Sequence, residues 1–243
     1  MNLPNAITAV RIAVAPVIAW LVVLPSWPLR FAAWALYVAA AVTDYYDGKL
    51  ARSRNLETDL GRLLDPLADK MLLVCTLVPM WWLTRGLPFV APLPASDDWA
   101  VPGIIGPVMS GTREAWPLVT PFGIVAFPLW VVLVVLGREA LMTVFRQYAA
   151  RRGVIISAIG PAKWKTGFQS AWAGASFFWF SAAAAAAQFH WTSDIWRYFA
   201  MFNGIAGTLA MVGAVGLTLY SLGLYARRYG YLLGGGSAGE VRR

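Results

Sequence analysis

Six apolar stretches follow one another along this chain, at approximately 7–26, 31–52, 61–84, 120–145, 163–187 and 197–224. Each is long enough to cross the roughly 30 Å hydrocarbon layer, which takes about 20 helical residues. With 59% of its 243 residues apolar and only 13% charged, the chain is too apolar and too charge-poor for an ordinary soluble domain of this length. The fold class expected is therefore an all-α polytopic membrane protein with six transmembrane helices. No internal repeat interrupts the series, so residues 1–243 read as a single domain. Met1 to Asn5 carries no basic residue and no small-residue cleavage site follows the first apolar run, so that run is expected to stay as a helix rather than leave as a signal peptide.

Orientation follows from the basic residues, which short loops retain on the cytoplasmic side. Lys49, Arg52, Arg54 and Arg62 lie in 49–62, where the second stretch gives way to the third; Arg146, Arg151, Arg152, Lys163 and Lys165 lie in 146–165, where the fourth gives way to the fifth; Arg227, Arg228, Arg242 and Arg243 lie in the tail. The opposite connections hold only Arg30, Arg85, Arg113 and Arg197. Both termini are thus expected in the cytoplasm, as for a bacterial-type inner membrane protein. The net charge of +8 suits contact with anionic membrane lipids, at about 1 kcal/mol per basic residue near the surface, and gives no reason to expect a nucleic-acid partner.

The lone cysteine, Cys75, excludes an intramolecular disulfide or a cysteine metal cage. The lone histidine, His190, sits in an outer connection and builds no histidine metal site. Residues 86–119, rich in Pro and Gly, form a long external loop, read as a partly ordered solvent loop with a lid or dimer contact as the alternative. The run Ala182–Ala187 favours close helix approach. Residues 230–243 read as a flexible cytoplasmic tail.

Charge inside the apolar stretches carries the chemistry. Asp44 and Asp47 end the second stretch; Asp65 and Asp69 open the third. Insertion scales charge about 2.5–3.5 kcal/mol for one ionised Asp at the bilayer centre, so four without compensation would cost on the order of 10 kcal/mol. Spacings of three and four place each pair on one helix face. If the two helices pack antiparallel across the short 53–60 turn, both pairs meet near the cytoplasmic third of the membrane. Four hard carboxylates there suit Mg²⁺ or Mn²⁺, although salt bridges to Arg52, Arg62 or Lys70 are the structural alternative. Gly48, Ala51 and Gly61 share these faces and let a ligand approach the backbone closely, so the cluster reads as a nucleotide cleft.

The whole pattern, Asp44-x2-Asp47-Gly48-x2-Ala51-Arg52-x8-Gly61-x3-Asp65-x3-Asp69, resembles the signature of the CDP-alcohol phosphotransferase family. That resemblance implies a six-helix membrane fold, a homodimer, and two divalent cations, Mg²⁺ or Mn²⁺. The positions matching Asp44, Asp47 and Asp65 would ligate the metals. Asp69 would be the general base and also lie near a metal, while Gly48, Ala51, Arg52 and Gly61 would line the CDP site with Asp44 and Asp47. The opening MNLPNAITAVR is similar to the NxPNxxTxxR start of the phosphatidylglycerophosphate synthases within this family. This implies a short N-terminal amphipathic segment leading into the first helix, with Asn5, Thr8 and Arg11 bordering the nucleotide. LGREALMTVFRQYAARRG and GPAKWKTGFQ are similar to a further pattern of the same enzymes. The substrates implied are CDP-diacylglycerol and glycerol-3-phosphate.

Read from the residues alone, Arg138 lies deep in the fourth stretch, where a cation is costly unless it meets an anion. Glu139 and Arg146, seven apart, can pair or face the cleft together. Arg138, Glu139, Arg146, Lys163 and Lys165 are the candidate acceptor-phosphate residues; for Arg146 and Lys163 a positive-inside flank is the alternative, and for Arg151 and Arg152 it is preferred. Inositol phosphate, serine or another alcohol remain open as acceptors. An intramembrane prenyltransferase and a cation transporter are alternatives from other classes.

Overall fold

The computed structural model describes residues 3–53, 59–85, 90–91, 118–154, 161–189, 191 and 193–229. Six helices dominate: α1 (Leu3–Val23), α2 (Trp27–Ser53), α3 (Asp59–Thr84), α4 (Leu129–Arg151), α5 (Pro161–Phe189) and α6 (Asp194–Tyr229). Three segments, Asn5–Val23, Leu64–Thr84 and Asp194–Tyr229, are long and apolar enough to cross a membrane by length and composition. α2, α4 and α5 have 27, 23 and 29 residues. At about 1.5 Å per residue they too exceed the hydrocarbon thickness. The expected N-terminal segment is not a separate element: α1 runs unbroken from Leu3.

The helices close into a ring. α1 packs on α2 and α3, α2 on α5, α5 on α6, α6 on α4, and α4 on α3. Aromatic side chains fill it: Trp172, Phe127, Phe177 and Phe180 are fully buried, and Phe127 meets Trp172 at a ring separation of 5.6 Å. α2 and α5 run antiparallel in a defined register, since the Tyr37 hydroxyl donates to the Ser170 carbonyl (3.3 Å) and the Ser181 hydroxyl to the Trp27 carbonyl (3.1 Å). At the other end of α1, Arg30 is fully buried and its Nε donates to the Val22 carbonyl at 3.1 Å, satisfying an acceptor that the helix end leaves open.

The structure departs from the sequence expectation between the third and fourth helices. Residues 118–125, assigned partly to the external loop and partly to the fourth apolar stretch, form a hairpin instead. Strands β2 (Leu118–Thr120) and β3 (Gly123–Val125) pair antiparallel, and β3 also pairs with β1 (Val90–Ala91), in the order β1-β3-β2. Hydropathy does not distinguish a buried strand from a helix; here β-branched residues around Pro121 and Gly123 favour strands. The Thr120 hydroxyl donates to the Gly123 carbonyl at 2.6 Å, and Gly123 has a φ of 139°, which a side chain would resist. Pro128 then caps α4 from an extended conformation, so the helix begins at Leu129 rather than near 120. Nor is β2 a solvent loop: Leu118 and Val119 are buried against α6. The expectations for 86–89, 92–117 and 230–243 lie outside the described residues.

Gly204 on α6 makes that packing possible. A Cβ there would stand 1.7 Å from the Val119 carbonyl oxygen and 2.5 Å from its carbon, whereas one at Gly207 would meet only the Leu118 side chain, at 3.0 Å. Gly204→Ala is expected to destabilise the protein by on the order of 3 kcal/mol, because backbone has to move. The gain of up to about 1 kcal/mol in helix propensity does not offset this. Gly207→Ala is expected to stay close to wild type. Thermal unfolding in detergent compares them, and equal melting of the two variants would contradict the packing account.

Candidate active site

One face of α1 organises the acidic residues. Asn5, Thr8 and Arg11, three residues apart, are each at least nine-tenths buried. The Thr8 hydroxyl donates to Asp65 Oδ1 at 2.9 Å. Arg11 Nη1 donates to Asp44 Oδ1 and stands 3.6 Å from Asp69 Oδ1. Three aspartates from α2 and α3 are therefore reached from one face of α1. The Arg11 side chain is buried, while those of Asp44 and Asp69 are 50% and 65% exposed. The carboxylates are thus accessible from outside the bundle, with a buried cation behind them.

Gly61 is buried. The side chains of Asp47, Ala51 and Arg52, together with Gly48 and Lys163, lie outside what the structure describes. Among the described residues, no group of three or more His, Cys, Asp or Glu side chains is close enough to hold a metal ion. The donors that are present nevertheless fit one. Two hard carboxylate oxygens converge on a single cationic nitrogen, and a third carboxylate is tethered to the same helix face, which is the chemistry a divalent cation selects.

The second part of the site lies between α4, α5 and α6. Arg138 and Lys165 are both buried, and Glu139 receives both: Arg138 Nη1 donates to Glu139 Oε1 at 2.9 Å, and Lys165 Nζ bonds to the same oxygen. Two buried cations against one carboxylate leave a local excess of positive charge. The Glu139–Arg146 pairing that the seven-residue spacing allowed is not made. Arg146 is exposed and near enough to Lys165 to repel it.

Sequence reading did not anticipate the contribution of α6. Arg138 Nη2 donates to Ser221 Oγ at 3.1 Å, and the guanidinium carbon lies 5.8 Å from the Tyr225 ring centroid, a distance at which a cation is drawn to the ring face. Thr218, Ser221 and Tyr225 recur at helical spacing on one face, a signal present in the sequence but diluted by the apolar residues between them. The α2–α5 register connects the two parts. Seven residues on from Tyr37, Asp44 falls level with the first turn of α5, where Lys165 stands.

The family model for CDP-alcohol phosphatidyltransferase matches residues 1–220. CDP-diacylglycerol--glycerol-3-phosphate 3-phosphatidyltransferase 2 of Arabidopsis thaliana is 29% identical over 175 residues, which is 70% of this chain and 61% of the relative. The Bacillus subtilis (strain 168) protein named CDP-diacylglycerol--glycerol-3-phosphate 3-phosphatidyltransferase is 35% identical over 125 residues, 46% of this chain and 64% of that protein. A cardiolipin synthase (CMP-forming) of Streptomyces coelicolor is 32% identical over 156 residues, 63% of this chain and 54% of the relative. The chain thus spans about half to two thirds of the length of these curated relatives. With nearly its whole length matched by the family model, and with the acidic cleft and buried cations in place, the chain belongs to the CDP-alcohol phosphatidyltransferase family.

Proposed function

We propose that this chain transfers the phosphatidyl group of CDP-diacylglycerol to glycerol-3-phosphate, giving phosphatidylglycerophosphate and CMP. The observation that carries the reading is the convergence of Asp44 and Asp69 on one buried cationic nitrogen, with Asp65 held on the same helix face. The family is generally dependent on divalent metal. Asp44, Asp47, Asp65 and Asp69 would hold two such ions, Mg²⁺ or Mn²⁺. When bound, they supply charge neutralisation on the pyrophosphate and on departing CMP.

The chain's own residues do the rest. Asn5, Thr8, Arg11, Gly48, Ala51, Arg52 and Gly61 border the nucleotide. Arg138 and Lys165, with Glu139 fixing their positions and with Arg146 and Lys163 contributing, take the acceptor's phosphate. Asp69 accepts the proton of the acceptor's primary hydroxyl. That oxygen bonds to the lipid-bearing phosphorus, and the bond from this phosphorus to the CMP oxygen breaks. The protein is placed as a homodimer in a bacterial-type inner membrane, termini and site towards the cytoplasm.

The test is CMP release by purified protein given CDP-diacylglycerol and separate acceptors, with and without EDTA. Glycerol-3-phosphate is expected to support metal-dependent release, and serine or inositol phosphate not. The similarity to a cardiolipin synthase favours one second reading, a lipid acceptor; release with a lipid alcohol and none with glycerol-3-phosphate would establish it instead. Arg138→Ala and Lys165→Ala should each lower acceptor efficiency by roughly 10- to 150-fold, the worth of a charge-assisted contact. Apparent affinity for CDP-diacylglycerol should hold. Unchanged acceptor kinetics in both variants would contradict the phosphate assignment.

A further inference from the structure

Three polar groups on the helices of the second part of the site are buried and have no hydrogen-bond partner among the described residues: Arg138 Nε, the Thr218 hydroxyl and the Gln169 amide nitrogen. Thr218 is fully buried and Gln169 is 7% exposed. An unsatisfied donor within an apolar bundle is expensive, and three of them on helices that meet at Arg138 and Lys165 call for a ligand that satisfies them.

The helices bring these groups together. Gln169 stands one turn beyond Lys165 on α5, and both are buried, so they share a face. Lys165 reaches Glu139 on α4, which fixes the direction of that face. On α6, Thr218 stands one turn before Ser221, the residue that receives Arg138 Nη2. The Ser221 hydroxyl donates in turn to the Thr218 carbonyl at 3.0 Å; Ser221 is therefore fully engaged and the neighbouring Thr218 hydroxyl is not. α5 and α6 follow one another through a short turn and pack together, with the Phe168 ring 2.7 Å from where a Gly213 Cβ would be. Counting five residues away from that contact in opposite directions brings Thr218 level with the first turn of α5, below which Gln169 lies.

We propose that Thr218 and Gln169 complete the acceptor subsite and set its specificity. Arg138 and Lys165 hold the phosphate of a small phosphorylated polyol, while the Thr218 hydroxyl and the Gln169 amide bond to its oxygens and admit an acceptor of matching length. This rests on the acceptor reading above and goes beyond it. A site satisfied by charge alone would accept any phosphate monoester, whereas buried neutral donors reject a ligand that leaves them unpaired.

The experiment uses Gln169→Leu, Gln169→Glu and Thr218→Val in the full-length protein. It measures CMP release against glycerol-3-phosphate and CDP-diacylglycerol in turn, together with melting temperature without substrate. Gln169→Leu and Thr218→Val are expected to raise the KM for glycerol-3-phosphate about 10-fold or more, with the KM for CDP-diacylglycerol within about twofold. Melting should be unchanged or higher, since an unpartnered buried polar group is replaced by an apolar one. Gln169→Glu, which sets a carboxylate towards the phosphate, is expected to raise acceptor KM further than Gln169→Leu. If wild type releases CMP with glycerol-3-phosphate and the Leu and Val variants keep its acceptor KM, the groups are met by buried water and this inference is overturned while the acceptor reading stands. If wild type releases no CMP with any phosphate-bearing acceptor, both fail.

Discussion

Asp69→Asn is expected to reduce CMP release by about 10²- to 10⁴-fold, the usual contribution of a positioned general base, while CDP-diacylglycerol still binds. The amide keeps the shape of the carboxylate and cannot take a proton. The Asp69 side chain is 65% exposed, with an oxygen 3.6 Å from Arg11, so an acceptor can reach it from solvent. Asp44 is bonded to Arg11, and Asp65 to Thr8. Asp44→Asn and Asp65→Asn should therefore lose turnover through weakened metal binding, with partial recovery at higher Mg²⁺ or Mn²⁺, because an amide neither neutralises nor tightly ligates a hard dication. Isothermal titration of metal and CDP-lipid into the three variants separates these roles. If Asp69→Asn binds neither, Asp69 serves binding rather than proton transfer and the proposed division of labour is wrong.

Arg11→Ala should produce a protein whose stability depends on divalent cation. In wild type the buried guanidinium lies between Asp44 and Asp69. Removing it leaves those carboxylates repelling one another across the α1–α2–α3 contact. Because both are at least half exposed, water screens much of that repulsion, and the loss is expected to be on the order of 1–2 kcal/mol rather than the 3–5 kcal/mol of a fully buried broken pair. Millimolar Mg²⁺ should restore most of it by taking the place of the lost charge. Melting in EDTA and in Mg²⁺ measures this directly. Identical melting of Arg11→Ala and wild type in EDTA would show that Arg11 does not hold the acidic residues together.

The helices were legible because apolar length is a strong signal, and the aspartates because acids inside apolar stretches demand an explanation. Which helix joins them was not legible. Spacing places Asp44 and Asp69 on helix faces, but that α1 lies between those faces is a property of the ring, and no local pattern encodes ring closure. The same reason hid Ser221 and Thr218, whose importance comes from Arg138, some eighty positions earlier. The hairpin at 118–125 was missed differently. Leu118, Val119, Ile124 and Val125 are as apolar as a membrane helix, and the turn residues Pro121 and Gly123 were the only warning that hydropathy overrode. Of the residues proposed for the acceptor, Arg138 and Lys165 share Glu139, which serves these two cations rather than Arg146.

The bond between Arg11 and Asp44 also bears on how such a chain enters a bilayer. These two residues belong to α1 and α2, which are consecutive in the chain and are synthesised before α3. One ionised group of each sign, presented separately to lipid, would cost about 2.5–3.5 kcal/mol apiece at the bilayer centre. Paired, they can leave the translocation machinery as a hairpin with that charge cancelled, before α3 brings Asp65 and Asp69. The charge of Arg11 can thus be neutralised by Asp44 before the chain that carries Asp65 and Asp69 has been made.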